Sequence, residues 1–280
     1  MKIKITSDSS CDLSPEILEK YDIPIAPFHV ILGSRSGPDG EITPDDIYAY
    51  VDESGQLPKT SAVNTQAYME LFNYWHDQGY QVIHFCLSST FSSACQNARI
   101  AAQEVEGVWV IDSENLSTGQ GLLVIRAAEM AASGCSAEEI VAECKALVPK
   151  VEASFVVNDM EYLRKGGRCS ALAALGANVL QIKPCIEVID GEMKPGKKYR
   201  GKIRRAIKLY AEDRLKGRTD IDTTRIMVTH TRCDQETIDY VKDLVRELQP
   251  DTGEILETVA GATVTTHCGP ETLGVLFIRK

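Results

Sequence analysis

A chain of 280 residues with 44% apolar and 25% charged side chains has the make-up of a soluble globular protein with one or two well-buried cores. Its formal net charge of −10 argues against a general nucleic-acid binder, whose phosphate contacts need a basic face. The opening "MKIKITSDSS" has no signal-peptide core, and no apolar run is long enough to cross a bilayer, so a cytoplasmic location without integral membrane contact is expected.

In chain order, "KIKIT" reads as a first strand, and "SDSSCDLSPEILEKY" as a polar loop and a helix with Ser14 as N-cap and Pro15 in its first turn. "IPIAPFHVIL" is extended, with Pro24 and Pro27 favouring edge positions. "TPDDIYAYVDES" repeats the helix-start pattern: Thr43 caps, Pro44 opens, and Asp45 and Asp46 suit the positive helix end. "NTQAYMELFNYWHDQG" is an amphipathic helix stopped at Gly79. Strand "YQVIHFCL", helix "SSACQNARIAAQEV", strand "VWVID" and helices "GQGLLVIRAAEMAASG" and "SAEEIVAECKALV" follow. This alternation predicts an α/β domain with a mainly parallel sheet.

The texture changes near residue 152, which suggests domains at 1–152 and 153–280. "ASFVV" is a strand, "MEYLRKGGR" a short helix ending in two glycines, and "SALAALGANVL" a helix of small residues. "PCIEVIDGEMKPGKKY" predicts a hairpin turning at Asp190-Gly191. A basic helix "GKIRRAIKLYAEDRLKG" comes next, then a strand–helix–strand unit from "RIMVTHT" to "EILETVA". Last, "GATVTTHCGPETLGVLFIRK" reads as a polar loop feeding a final strand.

The nine cysteines form no C-x-x-C pair and the five histidines no H-x-x-x-H spacing. Buried thiols are expected rather than disulfides or zinc, and no metal or other cofactor. "STGQG" lacks both a full G-x-G-x-x-G and a P-loop lysine, so Gly119 and Gly121 are read as close-packing residues.

Four hydroxyl-rich loops recur at strand ends: "TSDSSCDL", "PKTSAVN", "LSSTFSS" and "TTHCGP". They hold Ser7, Ser9, Ser10, Thr60, Ser61, Ser88, Ser89, Ser92, Thr265, Thr266 and His267. Ligands collect beyond the carboxyl ends of strands in an open parallel sheet, and hydroxyls with helix N-terminal amides suit a carboxylate. Each loop taken singly is explained as well by helix capping. A serine hydrolase is the alternative, with His267 as base and Asp8 or Asp112 as orienter, but G-x-S-x-G is absent and no serine stands out. In "YLRKGGRCSALAALGANVL", Gly166 and Gly167 allow a turn that aims Arg168 inward. The small residues Ala171, Ala173, Ala174, Gly176 and Ala177 admit either a neighbouring helix or a slender apolar ligand. The basic stretch "KPGKKYRGKIRRAIK" is either a solvated face or a docking patch, so a regulatory interaction module is a further alternative.

The segments "ITSDSSCDL", "LPKTSAVN", "LSSTFSSACQNA", "VIDSENLSTGQG", "EYLRKGGR", "IKPCIEV" and "THCGPETLGVLF" together resemble the DegV family, over nearly the whole chain and in the same order. These are the fatty-acid-binding proteins that serve bacterial fatty acid kinase. The resemblance implies two α/β domains with the ligand site between them, no catalysis by the chain itself, and a bound fatty acid with its carboxyl group at a polar end. A separate kinase related to dihydroxyacetone kinase would phosphorylate that carboxyl group. Thr60 and Ser61 match the family's T-S pair, Ser92 its carboxylate serine, His267 its head-group histidine and Arg168 the arginine of K-G-G-R. Arg200 matches an arginine associated with kinase contact.

Two departures stand out. "FSSACQ" replaces L-S-G-T-Y-Q, so Ser93 stands for a glycine and Ala94 for a threonine. "THCGPE" replaces T-H-T-G-P-G, so Glu271 stands for a glycine. Ser93 is expected to alter the approach of the backbone to the head group, and Glu271 to repel an anion if it faces inward.

Overall fold

The computed structural model describes residues 2–169 and 182–280; the small-residue helix expected over 170–180 lies outside them. Among the described residues the first half runs β1 (Lys2–Asp8), α1 (Pro15–Tyr21), β2 (Ile25–Ala26), β3 (His29–Leu32), β4 (Arg35–Pro38), α2 (Pro44–Ser54), β5 (Lys59–Ser61), α3 (Thr65–His76), β6 (Tyr80–Cys86), α4 (Ala94–Ala102), β7 (Val108–Asp112), α5 (Thr118–Ala132) and α6 (Ala137–Leu147). The second half runs β8 (Val151–Glu152), β9 (Ser154–Val156), α7 (Met160–Gly166), β10 (Ile182–Ile189), β11 (Glu192–Arg200), α8 (Ile203–Leu215), β12 (Ile221–Thr231), α9 (Gln235–Leu248), β13 (Glu254–Val259), α10 (Ala262–Cys268) and β14 (Thr272–Arg279).

The helix starts follow their caps. Ser14 Oγ accepts from Ile17 N at 3.4 Å, and Thr43 and Asp46 form a reciprocal capping box. At the β10–β11 turn, Asp190 and Gly191 both have positive φ, 54° and 75°, the geometry that makes Asp-Gly a strong hairpin signal.

Three sheets result among the described residues. A parallel sheet has the order β2-β1-β6-β7, and an antiparallel one the order β4-β3-β5. The third, β11-β10-β9-β14-β12-β13 with β8 beside β14, is mixed: β12 and β13 are parallel, and its other pairings are antiparallel. The extended stretch after Pro24 therefore divides, β2 joining the parallel sheet and β3 the small one.

Helix α5 lies between the parallel and the mixed sheets, touching β1 and β6 on one side and β8, β12 and β14 on the other. This double burial explains why Leu122, Leu123, Val124 and Ile125 are all inaccessible. It also explains the glycines. A Cβ on Gly119 would stand 2.2 Å from Asn115 Oδ1, and one on Gly121 2.7 Å from Leu13 Cδ2. The main core joins Ile5, Ile83, Leu123, Phe155 and Leu276, so it is continuous across the change of sheet. A second core seats Ile207, Tyr210, Val241 and Val245 of α8 and α9 under Phe277. A third is small: Val30, Leu32, Ile42 and Ile47 close around Ala262, the first residue of α10.

Candidate functional site

The loops after β1, β6 and β7 lie at the carboxyl ends of the parallel strands, where open sheets leave a crevice. Asp8 ends β1 and is fully buried. Leu87 N at 2.8 Å, Ser10 Oγ at 2.5 Å and Gln120 Nε2 at 3.0 Å all donate to it. Burial pushes its pKa up to about 6, against the lowering effect of these donors. This network joins the loops after β1 and β6 to α5 and commits the Asp8 carboxylate to structure.

Beside it is a cavity of about 260 Å³. Its polar lining comes from Ser10, Thr60, Ser92, Ser93, Thr263, Arg168 and His267. Its apolar lining comes from Phe28, Ala62, Leu87, Phe91, Leu116, Met193, Val264 and Cys268. Leu116, Val264 and Cys268 also bound a smaller chamber of about 30 Å³, which Phe155 and Leu276 help to close.

Thr60, Ser92, Arg168 and His267, read separately from the sequence, thus meet at one cavity. His267 Nε2 and Thr60 Oγ1 are 2.9 Å apart. Among the described residues its buried Nδ1 has no hydrogen-bond partner, and a Cβ on Gly166 would stand 2.6 Å from it. Gly166 therefore supplies the space the imidazole occupies. Burial, and next the Arg168 charge, bring the His267 pKa down to about 4, so the ring is neutral near pH 7. It offers a hydrogen bond rather than a charge, and Arg168 is the cation in this lining. Arg168 is exposed, and its Nη1 donates to Gly166 O at 2.6 Å after Gly167 turns the chain with φ 69°. Ser92 Oγ accepts from Ala94 N at 3.2 Å, in the first turn of α4.

The other expected residues fall elsewhere. Ser61 is exposed on β5, paired with His29, and does not line the cavity. Arg200 is exposed at the end of the edge strand β11. Ser88 Oγ donates to Gly191 O at 2.8 Å and Thr90 Oγ1 donates to the same carbonyl, tying the β6 loop to the β10–β11 hairpin. Ser9 Oγ donates to Asp39 Oδ2 at 2.9 Å, and Thr265 Oγ1 to Ala260 O at 3.2 Å. Glu271 accepts from Asn158 Nδ2 at 2.6 Å and does not line the cavity, whereas Ser93 does.

The "TTHC" segment corrects the sequence reading, because it is the helix α10 and not a loop. Thr263, Val264, His267 and Cys268 line the cavity at the spacing of one helical face. Thr263 and Val264 had no individual signal in the sequence. Phe28 and Met193 were likewise unmarked, being apolar residues from a split strand and a hairpin.

Among the described residues a hydrolytic triad does not assemble: Thr60 is the hydroxyl bonded to His267, and no carboxylate of these residues meets its Nδ1. Asp112 accepts from Ser89 N and Glu114 N instead. Among the described residues no group of three His, Cys, Asp or Glu side chains is placed to hold a metal ion, and no helix is long and apolar enough to cross a membrane. Cys11, Cys86, Cys95, Cys144, Cys185 and Cys268 are buried free thiols.

The model of a family described as "Uncharacterised protein, DegV family" matches residues 2–280. The chain belongs to the DegV family. A DegV domain-containing protein of Clostridium acetobutylicum is 33% identical, with 100% of this chain and 99% of that protein covered. A fatty-acid-binding DegV family protein from Thermus thermophilus superposes with a TM-score of 0.90 at 27% identity, covering 100% of both chains. A stearic-acid-binding protein from Eubacterium ventriosum gives 0.84 at 28%, covering 99% of this chain and 98% of that one. This DegV chain thus shares its mixed α/β architecture with proteins of solved structure.

Proposed function

We propose that the protein binds a long-chain fatty acid and presents its carboxyl group to a separate fatty acid kinase, which forms the acyl phosphate. The observation that carries this reading is one cavity lined by both hydroxyl-bearing and apolar side chains, in a chain whose DegV relatives bind fatty acids. In it the carboxylate lies against Thr60 and Ser92, with His267 and Arg168 beside it and Ser61 next to Thr60 on β5. The acyl chain passes Leu116, Val264 and Cys268 towards the smaller chamber, between α/β domains at 1–152 and 153–280. Arg200 contacts the kinase. The chain acts in the cytoplasm and is not itself catalytic; it needs no cofactor, since nucleotide and metal come with the kinase.

The energetics fit this division of labour. Each buried methylene contributes about 0.8 kcal/mol, so fifteen give roughly 12 kcal/mol before ordering costs. An unpaired buried carboxylate costs several kcal/mol. The apolar lining supplies affinity, while the hydroxyls and Arg168 offset the head-group penalty and fix its direction.

Solvent extraction and mass spectrometry of the purified protein test the reading. A co-purifying long-chain fatty acid is expected. Recovery of short polar metabolites alone, with no uptake of added stearate, would overturn it.

A further inference from the structure

Four cavity-lining residues, Thr263, Val264, His267 and Cys268, come from α10, a helix of only seven residues. Thr263, Val264, Thr265 and Thr266 are all β-branched, so intrinsic propensity favours this helix little. Its first amides are held from outside. Ala262 N and Thr263 N donate to the two oxygens of Asp39 at 2.9 and 3.2 Å, and Gly261 N donates to Asp12 Oδ1 at 2.8 Å. A Cβ on Gly261 would stand 3.2 Å from Asp39 Oδ1 and 3.3 Å from Asp12 Oδ1, so the backbone approaches both carboxyl groups closely.

Asp39 also reaches a second cavity-lining segment. Ser9 Oγ donates to its Oδ2 and accepts from Phe28 N at 3.1 Å, while Asp39 N donates to Phe28 O at 2.7 Å. Phe28 lines the cavity. One carboxylate therefore connects two cavity-lining segments that are far apart in the chain.

We propose that Asp39 is a positioning residue of the cavity: its hydrogen bonds to Ala262 N, Thr263 N and Ser9 Oγ set the direction of α10 relative to Phe28 and so place His267 against Thr60. Asp39 touches no ligand; it acts through α10. This role rests on the fatty-acid reading for its ligand, but its effect on His267 can be measured without any ligand.

The test compares wild type, Asp39→Ala and Asp39→Asn, with Ser136→Ala as control. Ser136 caps α6 through a capping box and lies outside the cavity wall, so its loss costs helix stability alone. The readouts are stearate affinity, the thermal midpoint, and the pH titration of the His267 imidazole resonance in ligand-free protein with labelled histidine, assigned by its loss in His267→Asn. Asp39→Ala is expected to weaken stearate binding about tenfold and to move the His267 titration upward. Asp39→Asn keeps one acceptor oxygen and is expected to show a smaller change of both kinds, which covers the case where the alanine variant fails to fold. Ser136→Ala is expected to lower the midpoint and leave both other readouts unchanged. An unaltered His267 titration in folded Asp39 variants overturns the proposal, as does the same change in Ser136→Ala. Absence of stearate binding by wild type would instead overturn the fatty-acid reading, with the His267 titration still deciding the role of Asp39.

Discussion

Helices α10 and α4 both begin beside the cavity, and their first turns are used differently. At α10, Gly261 N, Ala262 N and Thr263 N are taken by Asp12 and Asp39, so an anion there would meet two carboxyl groups. At α4, the N-cap residue Ser93 makes no side-chain cap, and Ser92 accepts from Ala94 N while lining the cavity. A helix start attracts an anion only where its amides are not already committed. Under the proposed function the carboxylate therefore lies at α4, where Ser92 takes one first-turn amide but no carboxyl group stands, while α10 supplies His267.

The strongest way to break this comparison is at the far end of α10. Gly166→Ala puts a methyl where His267 Nδ1 needs space, 2.6 Å away. Overpacking of this kind costs roughly 1–3 kcal/mol, so stearate affinity is expected to fall by about tenfold or more in a titration, as the His267 ring is pushed away from Thr60. Ser92→Ala probes the α4 side. It removes one hydroxyl and the acceptor of Ala94 N, and about 1 kcal/mol of stearate binding is expected to go with it, measured by calorimetry. A protein that folds and binds stearate unchanged after this substitution would remove α4 from the site.

The smallest effects are pH slopes, which have opposite signs at the two ends of α10. Burial raises the Asp12 pKa from 3.8 to about 8, so the folded state holds its proton more tightly. Its contribution to stability is complete below pH 3.8 and is lost as pH rises towards 8. The His267 pKa is lowered from 6.5 to about 4, so its contribution is complete above pH 6.5 and is lost as pH falls towards 4. Thermal midpoints of wild type minus Asp12→Asn should decline across the first window, and those of wild type minus His267→Gln should rise across the second. Parallel slopes would contradict the environments assigned to the two residues.

Much of this is legible in the sequence. Ser14-Pro15 and Thr43-Pro44 announce α1 and α2, because a cap and its helix are neighbours in the chain. Asp190-Gly191 announces its hairpin for the same reason. Gly119 and Gly121 read correctly as packing residues. Of the site, Thr60, Ser92, Arg168 and His267 stand out along the chain and line the cavity, although Ser61 lies off its wall. The small-residue segment expected to shape the pocket lies outside the described residues.

The α10 helix escapes such a reading because its determinants are remote. Thr, Val, Thr and Thr favour extended chain, and the carboxyl groups that hold its amides stand 249 and 223 residues away. The small strands β4 and β5 escape it too, being short runs whose partners only the fold supplies.

By itself the sequence determined what depends on neighbours in the chain: the alternation of strands and helices, the caps, the hairpin turn and the hydroxyl-rich loops. Only the tertiary structure decided which hydroxyls face the cavity and which serve as struts, and that Asp12 and Asp39 hold a helix. Hydrogen bonds between distant segments carry no periodicity that a reading along the chain can detect, whereas local capping and patterning do.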